Sequence, residues 1–221
     1  MPSFSHLINI LIESRGLFFD AMLLTLELTA VSIIIGIVIG LIFALFKISN
    51  IKPLQLISDA YVYLIRGTPL IVQIFILYFG LSGIFLIPDF WAAALALALH
   101  NGAYIAEIFR GTIQAVDEGQ MEAGRSLGMT KSLAMRRIIL PQAFRRSLPP
   151  LGNQFIIGLK DSSLAAFISM NELFNVATTL GSNNFDEMTY LLIVAIYYLV
   201  LVALLTLLVS MLERKLAVSD R

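Results

Sequence analysis

The sequence predicts an all-α membrane protein that crosses the bilayer several times. Of its 221 residues, 58% are hydrophobic and 14% are charged, whereas a soluble domain carries about 25% charged residues. The apolar residues stand in runs long enough for spanning helices, each of which needs about 20 of them. The formal net charge is zero and there is no cysteine, so neither nucleic-acid binding nor disulfide or thiolate chemistry is indicated.

Five apolar runs predict five spanning helices. They cover residues 21–46, 54–81, 90–111, 141–170 and 188–212, and polar residues interrupt the second and the fourth. Glu13, Arg15 and Asp20 interrupt the pattern before the first run, so residues 1–20 are predicted to form an extracytoplasmic or interfacial segment. The membrane domain is expected over residues 21–212, followed by a cytoplasmic tail at residues 213–221.

The basic residues predict the orientation of these spans. They follow the first and fifth spans and fill the connection between the third and fourth. Those at these three places are Lys47, Lys52, Arg110, Arg125, Lys131, Arg136, Arg137, Arg145, Arg146, Arg214, Lys215 and Arg221, and the N-terminal segment holds only Arg15. The connections near residues 82–89 and 171–187 have no lysine or arginine. Since lysine and arginine favour the cytoplasmic side, the N-terminus is predicted outside and the C-terminus in the cytoplasm.

Polar residues stand near the centre of three spans. They are Arg66-Gly67-Thr68-Pro69 in the second, His100-Asn101 in the third and Lys160-Asp161-Ser162-Ser163 in the fourth. Pro69 removes a backbone donor and disfavours helical geometry at Thr68, so the second span is expected to break there. A charge at such depth costs at least about 2.5–3.5 kcal/mol unless it faces a protein interior or a wet cavity. The pattern predicts a polar cavity at the middle of the membrane, lined by these three spans.

Structural interpretations of these residues stay open. Arg66 with Asp161, or Lys160 with Asp161, would act as a pair that fixes helix packing. Pro69 would be only a kink, which membrane helices tolerate. His100 would be a buried histidine with satisfied hydrogen bonds rather than a ligand or a proton relay.

No enzyme chemistry is indicated by the sequence. Ser162 and Ser163 have no histidine near them, and no cluster of histidine and acidic residues has metal-ligand spacing, so no catalytic residue and no metal is predicted. Glu107, three residues before Arg110, is expected to form a helix-surface pair with it. A membrane-embedded enzyme is therefore disfavoured.

The longest polar stretch lies between the third and fourth spans, at residues 117–146. It predicts a short helix that Asp117 opens and Gly128 ends, with a second helix from about Ser132. The small residues Ala123 and Gly124 would leave one face flat, so that a partner could approach closely. An ordinary interfacial helix is the alternative.

Several motifs, in order, resemble the polar-amino-acid permeases of ABC importers. The loop motif is Gln120-Met121-Glu122-Ala123-Gly124-Arg125-Ser126-Leu127-Gly128, followed by Ile138-Ile139-Leu140-Pro141-Gln142-Ala143. The others are Tyr61 with Arg66-Gly67-Thr68-Pro69-Leu70, Ala103-Tyr104-Ile105-Ala106-Glu107-Ile108-Phe109-Arg110, Leu159-Lys160-Asp161-Ser162-Ser163-Leu164 and Glu172-Leu173. The resemblance extends over about residues 25–213.

This resemblance implies the type I ABC importer permease fold and a multi-pass location in the bacterial inner membrane. It implies a dimer with a second permease subunit, identical or related, and an extracytoplasmic solute-binding protein that delivers a polar amino acid. A separate ATP-binding subunit would use the ATP, since this chain has no Gly-x-x-x-x-Gly-Lys-Ser/Thr motif and no cofactor of its own is expected. The loop over about residues 117–140 would carry the coupling helix that docks with that subunit.

The resemblance also implies two sets of functional residues. The coupling residues are Glu122, Ala123, Gly124, Leu127 and Gly128. The solute-binding residues are Arg66, Gly67, Thr68, His100, Asn101, Asp161 and Ser162. Asp161 would take the ammonium group, and the backbone donors near Gly67 and Thr68, with Arg66 nearby, would hold the carboxylate. Two positions depart from the family: Gly124 replaces the usual alanine, at about 1 kcal/mol of helix propensity, and His100 replaces asparagine or another small polar residue.

The alternative function is a channel or a structural membrane subunit whose loop only anchors a cytoplasmic partner. Neighbouring genes for an ATPase and a solute-binding protein would distinguish the importer from this alternative.

Overall fold

The protein is all-helical over the residues described by its structure, a computed structural model. It describes residues 3–81, 84 and 86–218, so that Arg221 and part of the connection 82–89 lie outside the described residues. The α-helices are α1 (Phe4–Ile48), α2 (Lys52–Arg66), α3 (Leu70–Phe75), α4 (Asp89–Gln114), α5 (Glu118–Ser126), α6 (Lys131–Ala134), α7 (Leu140–Asp161), α8 (Leu173–Asn183) and α9 (Glu187–Val218). Two π-helical turns (Ile76–Gly80 and Met135–Ile139) and a 3₁₀ helix (Ser162–Ile168) complete the set. The predicted all-α fold is confirmed.

The first helix is longer than the first predicted span. Ser3 caps it by accepting a hydrogen bond from the backbone N–H of His6, and it continues without a break through residues 20 and 21. Most of the predicted N-terminal segment is therefore part of α1. An unbroken backbone ladder tolerates single charged side chains, because these side chains reach outward and leave the helix intact.

The second predicted span is broken where the sequence indicates. α2 ends at Arg66 and α3 begins at Leu70, and the segment from α3 through its π-helical turn is bent by 102° relative to α2. Pro69 stands at the N-cap of α3 in an extended conformation, as its fixed φ and missing N–H require.

The fourth predicted span changes helix type near its polar residues. α7 continues through Pro149 and Pro150 and ends at Asp161, where the 3₁₀ helix begins. Ser169 then has a left-handed backbone with φ 62° and ends the segment. The interruption thus follows Asp161 and does not occur at the two prolines.

Small residues bring α1 and α4 into close contact at the centre of the fold. A β-carbon at Gly40 would lie 2.7 Å from the Ile105 side chain and 2.9 Å from the Ala106 backbone nitrogen. A β-carbon at Gly36, one turn earlier, would lie 3.2 Å from the Ala98 carbonyl oxygen. Such spacing of small residues lets membrane helices approach closely. The α1–α4 pair therefore forms the scaffold against which α2 and α7 pack.

Some of the described helices have the length and composition of a membrane span, and others do not. α1, α4 and α9 are each long and apolar enough to cross a bilayer, and the bent pair of α2 and α3 makes a fourth if it counts as one span. α7 is not in this group. Five spans therefore remain a prediction.

Candidate solute path and coupling helix

The break between α2 and α3 is held by one glutamine side chain. The Gln73 amide nitrogen donates hydrogen bonds to the Ile65 carbonyl oxygen at 2.8 Å and to the Thr68 hydroxyl and carbonyl oxygens at 2.9 and 3.2 Å. Thr68 donates its own hydroxyl to the Leu64 carbonyl oxygen at 2.9 Å. A broken helix leaves carbonyl groups without partners, and these bonds satisfy several of them. The role of Gln73 could not be predicted from the sequence, because its hydrogen bonds depend on the direction in which α3 bends away from α2.

A groove of about 600 Å³ opens beside this break. Its lining residues are Asp59, Val62, Tyr63, Arg66, Gly67 and Tyr104. The Arg66 guanidinium carbon lies 4.8 Å from the centre of the Tyr104 ring, a cation–π contact. Among the described residues, no hydrogen bond or ion pair joins Arg66 to another side chain, so its N–H groups are available to an anion. Arg66 and Gly67 therefore share one open groove with Tyr104 of the third predicted span. His100, Asn101, Asp161 and Ser162 do not line it, so the predicted cavity between the second, third and fourth spans stays a prediction.

His100 adjoins this groove through Tyr104. The two ring centres are 5.3 Å apart. The Nδ1 atom of His100 is buried and has no hydrogen-bond partner among the described residues. The interpretation of His100 as a fully satisfied buried histidine is therefore not supported, because an unpaired buried polar atom is unfavourable.

Asn101 lies in the contact between α4 and α7. It is fully buried, its amide nitrogen donates to the Leu97 carbonyl oxygen at 2.9 Å, and its amide oxygen accepts from Gln154 at 2.8 Å. Gly158 lets this amide approach α7, since a β-carbon there would be 3.3 Å from the Asn101 nitrogen. The polar atoms of Asn101 are thus already bonded within the protein.

Asp161 and Ser162 stand at the junction of α7 and the 3₁₀ helix. Ser162 is fully buried and donates its hydroxyl to the Leu159 carbonyl oxygen at 2.7 Å, whereas Asp161 is half-buried. Within the described ranges, no ion pair joins Asp161 to Lys160 or to Arg66. The interpretation of Asp161 as half of a structural ion pair with Lys160 or Arg66 is therefore not supported in this part of the chain. The pair expected between Glu107 and Arg110 is present at 2.7 Å.

A buried carboxylate, Glu172, forms a further polar cluster that sequence reasoning did not interpret. It caps α8, accepting hydrogen bonds from the backbone N–H groups of Phe174 at 2.9 Å and Asn175 at 2.7 Å. The Tyr198 hydroxyl donates to it at 3.0 Å. The acidic N-cap followed by an apolar helix was the available signal. In the part of the chain that the structure describes, no group of three or more His, Cys, Asp or Glu residues is placed to hold a metal.

The predicted short helix is present as α5, with the expected ends. The Asp117 carboxylate accepts a hydrogen bond from the Gly119 N–H at 2.7 Å, which caps the helix start. Gly128 has φ +84° and ends it, a backbone conformation that favours glycine. Arg146 of α7 donates to the Ala115 carbonyl oxygen at 2.7 Å and so holds the end of α4 from which α5 departs.

The two small residues of α5 lie on different faces. Gly124 is buried, and a β-carbon there would be 2.8 Å from Ile138 and 3.2 Å from Ala134. Ala123 is exposed. The expectation that both leave a flat face for a partner is corrected for Gly124, because it faces the protein's own π-helical turn. This contact also explains why a residue without a side chain suits the position despite its low helix propensity.

The outward face of α5 carries the other predicted coupling residues. Glu122, Ala123 and Gly128 are exposed, and Leu127 exposes 81% of its surface. Leu127 is the C-cap residue of α5, and single exposed leucines are common on protein surfaces, so its exposure leaves this face open to a partner without identifying a docking surface.

Comparisons with known proteins agree with this arrangement. The family model described as "Binding-protein-dependent transport system inner membrane component" matches residues 36–218. The arginine transport system permease protein ArtQ of Bacillus subtilis is 38% identical over 203 residues, 91% of this chain and 93% of that protein. The L-cystine transport system permease protein TcyB of Bacillus subtilis is 43% identical over 194 residues, 87% of this chain and 83% of that protein.

Solved structures give the same result for the fold. A crystal structure of an amino acid ABC transporter with histidines is 41% identical, with a TM-score of 0.89 over 97% of this chain and 99% of that one. An inward-facing MetNI methionine ABC transporter has a TM-score of 0.80 over 92% and 98%, and at 21% identity it supports the fold alone. The expected importer-permease fold is therefore confirmed, and the chain belongs to the family of binding-protein-dependent transport system inner membrane components.

Proposed function

We propose that this permease subunit forms the membrane path for a polar amino acid in an ATP-driven importer. The supporting observation is the similarity, over about nine-tenths of the chain, to permeases named for arginine and cystine transport. The related protein GlnM of Bacillus subtilis, named a probable glutamine permease, is 39% identical over 95% of this chain. An amino-acid zwitterion is the chemistry that these relatives share.

The proposed complex contains three kinds of partner: a second permease subunit, an ATP-binding subunit and an extracytoplasmic solute-binding protein. The exposed Leu127 and Glu122 of α5 support contact with the ATP-binding subunit. In this proposal the partner binds and hydrolyses the ATP, and this chain is not an enzyme and carries no cofactor. The proposed location is the bacterial inner membrane, with the N-terminus outside and the C-terminus in the cytoplasm.

The proposed solute site uses both broken spans. Arg66 and the backbone at Thr68 would bind the carboxylate, and Asp161 would bind the ammonium group. Gly67 would line the site without donating, because its N–H already bonds to the Tyr63 carbonyl oxygen at 2.9 Å. The open groove beside Arg66 and the absence of an ion pair for Asp161 in the described ranges support these roles.

The buried members of the predicted site take supporting roles in this proposal. His100 would act through its contact with Tyr104, which lines the groove. Asn101 and Ser162 would shape the site from behind, because their polar atoms already bond within the chain.

Uptake by the reconstituted complex, measured with a panel of labelled amino acids, tests the proposal. One or a few polar amino acids should accumulate only with ATP and the solute-binding protein. Asp161→Asn should lower uptake by about tenfold or more, since it removes a charge-assisted contact worth roughly 1.5–3 kcal/mol. Asp20→Asn, an exposed change in α1, is the control. Normal uptake by the assembled Asp161→Asn complex would remove Asp161 from the site.

The docking role of α5 has a separate test. Ala123→Arg places a large side chain on the exposed face and should leave the permease folded while it abolishes co-purification with the ATP-binding subunit. Glu118→Arg puts the same side chain on another face of α5 and should retain the complex. Equal retention by both variants would show that the Ala123 face does not meet the partner.

A further inference from the structure

A second groove, unrelated to the solute site, runs between α1 and α9. It has a volume of about 400 Å³. It is lined by Leu11, Ile12, Arg15, Met22, Ile196, Tyr197, Val200 and Leu201. Seven of these eight side chains lack a charge, so the groove is an apolar channel with a single cation.

That cation has no protein partner within the described ranges. Arg15 is exposed, and no ion pair or hydrogen bond joins it to another described residue. The nearest acidic residues in sequence, Glu13 and Asp20, project from other sides of the helix, since each residue advances it by about 100°. Glu13 lines a different groove, beside His6 and Asp186. Arg15 is therefore free to bind an anion from outside the chain.

The length of α1 places Arg15 at the level of the lipid headgroups. Lys47, at the other end of α1, lines a groove with Asp117 and Glu118 next to the coupling helix. The 32 residues from Arg15 to Lys47 span about 48 Å of helix. A helix tilted by about 20°, the average for membrane helices, carries this length across about 45 Å. That is the thickness of a bilayer with its headgroups, so Lys47 and Arg15 would lie in opposite headgroup layers.

Part of the apolar lining lies deeper than Arg15, whereas Leu11 and Ile12 lie about one turn nearer the N-terminus. Met22 is about 10 Å further along α1. α9 starts at the same end of the molecule, because His6 near the start of α1 contacts Asp186, next to the start of α9, at 2.7 Å. Counted from these two residues, Ile196 is at about the depth of Arg15, and Val200 is about 6 Å deeper, toward the hydrocarbon.

We propose that this groove binds one phospholipid, with its phosphate on Arg15 and an acyl chain along Met22, Ile196 and Val200. A phospholipid joins an anionic phosphate to apolar acyl chains, and this groove places the cation Arg15 beside apolar side chains. A second copy of the chain fits less well, because a two-fold contact at this face would bring the two copies of Arg15 toward each other. Headgroups with a net negative charge bind better than zwitterionic ones, whose ammonium group opposes the arginine.

The single tryptophan of the chain allows a direct test. In a Trp91→Phe background, Val200→Trp places a fluorescent probe in the groove, and Leu199→Trp places one at the same depth on an exposed position outside it. The full chain is reconstituted in phosphatidylcholine containing a small fraction of phosphatidylglycerol with brominated acyl chains. Brominated chains quench only a tryptophan that they touch.

The groove probe should be quenched at about fivefold lower phosphatidylglycerol than the control probe, the factor expected for one basic residue. Arg15→Gln should remove this difference, and Arg15→Lys should keep most of it. Phosphatidylglycerol retained after purification, counted per chain, gives a second readout that does not need the tryptophan variants.

Three results would overturn the proposal. These are equal quenching of the two probes, a difference that survives Arg15→Gln, or loss of groove quenching when the protein-to-lipid ratio rises. The last result would assign the groove to a second copy of the chain.

Discussion

Glu172 and the next residue, Leu173, join the start of α8 to two other helices. The Glu172 carboxylate is fully buried and accepts the first free N–H groups of α8 together with the Tyr198 hydroxyl from α9. The adjacent Leu173 N–H donates to the Thr25 hydroxyl of α1 at 3.1 Å. The start of α8 is therefore fixed by side chains from both neighbouring helices, and no water is needed to satisfy it.

Replacing Glu172 by glutamine should destabilise the protein. One carboxylate oxygen becomes an NH₂ group that faces N–H or O–H donors, so a buried donor loses its acceptor at a cost of about 1–3 kcal/mol. A fall of several degrees in the thermal midpoint of the purified permease is expected. Tyr198→Phe removes one donor and leaves the two backbone bonds, so its loss should be smaller.

Glu13→Gln is the matched control, since Glu13 is exposed on α1. It should leave the midpoint unchanged. A melting curve of Glu172→Gln that coincides with that of Glu13→Gln would mean that the buried cap does not contribute to stability.

The polar residues within the helices differ in how far the sequence could predict their surroundings. Arg66, Gly67 and Thr68 were located by a local signal, the proline that follows them. The bonds of Glu172 to Tyr198 and of Asn101 to Gln154 join residues far apart in sequence. Such pairs depend on how whole helices are placed, and one chain's periodicity contains no information about that placement.

At the scale of helices, the contact between α1 and α4 depends on residues that lack side chains. Gly40 sits against Ile105 and the Ala106 backbone, with no room for a β-carbon. Gly16 belongs to the same helix but has no atom within 4 Å of the position that a β-carbon would take. Comparing the same substitution at the two glycines therefore separates the effect of close packing on stability from the effect of helix propensity.

Gly40→Ala should destabilise the protein, whereas Gly16→Ala should not. Overpacking at Gly40 is expected to cost about 1–3 kcal/mol, because the backbone of α4 cannot move away as a flexible side chain would. At Gly16 the added methyl group should stabilise α1 by about 0.5–1 kcal/mol. Thermal midpoints of the two variants in the same lipid provide the measurement. A lower midpoint for Gly16→Ala than for Gly40→Ala would contradict the close approach.

Helix ends were predictable where local chemistry sets them, and helix faces were not. Asp117 and Gly128 fix the ends of α5 through their own backbone and side-chain geometry, so both were found from sequence. Which side of α5 Gly124 occupies depends on Ile138, which arrives through the π-helical turn. An extra residue in that turn rotates the following helix, and nothing in the sequence pattern signals it.

At the scale of the whole molecule, α1 and α9 begin at one end and the coupling helix lies at the other. His6 and Asp186 mark the first end, where the hydrogen bond from His6 holds the pKa of the Asp186 carboxyl below its usual range. Lys47, Asp117 and Glu118 gather at the second end. If α5 faces the cytoplasm, the connection between α8 and α9 must face the outside.

The absence of cysteine makes this arrangement testable with single labels. Ser132→Cys in α6 and Asn183→Cys at the end of α8 both introduce an exposed thiol. A membrane-impermeant maleimide should label Asn183→Cys in right-side-out vesicles and Ser132→Cys only in inverted ones, when the ATP-binding subunit is absent. Because charged reagents do not cross the hydrocarbon core, labelling of both positions from one side would mean that the number of crossings between them is even. In that case, either the orientation predicted from the basic residues or the cytoplasmic position of the coupling helix would be wrong.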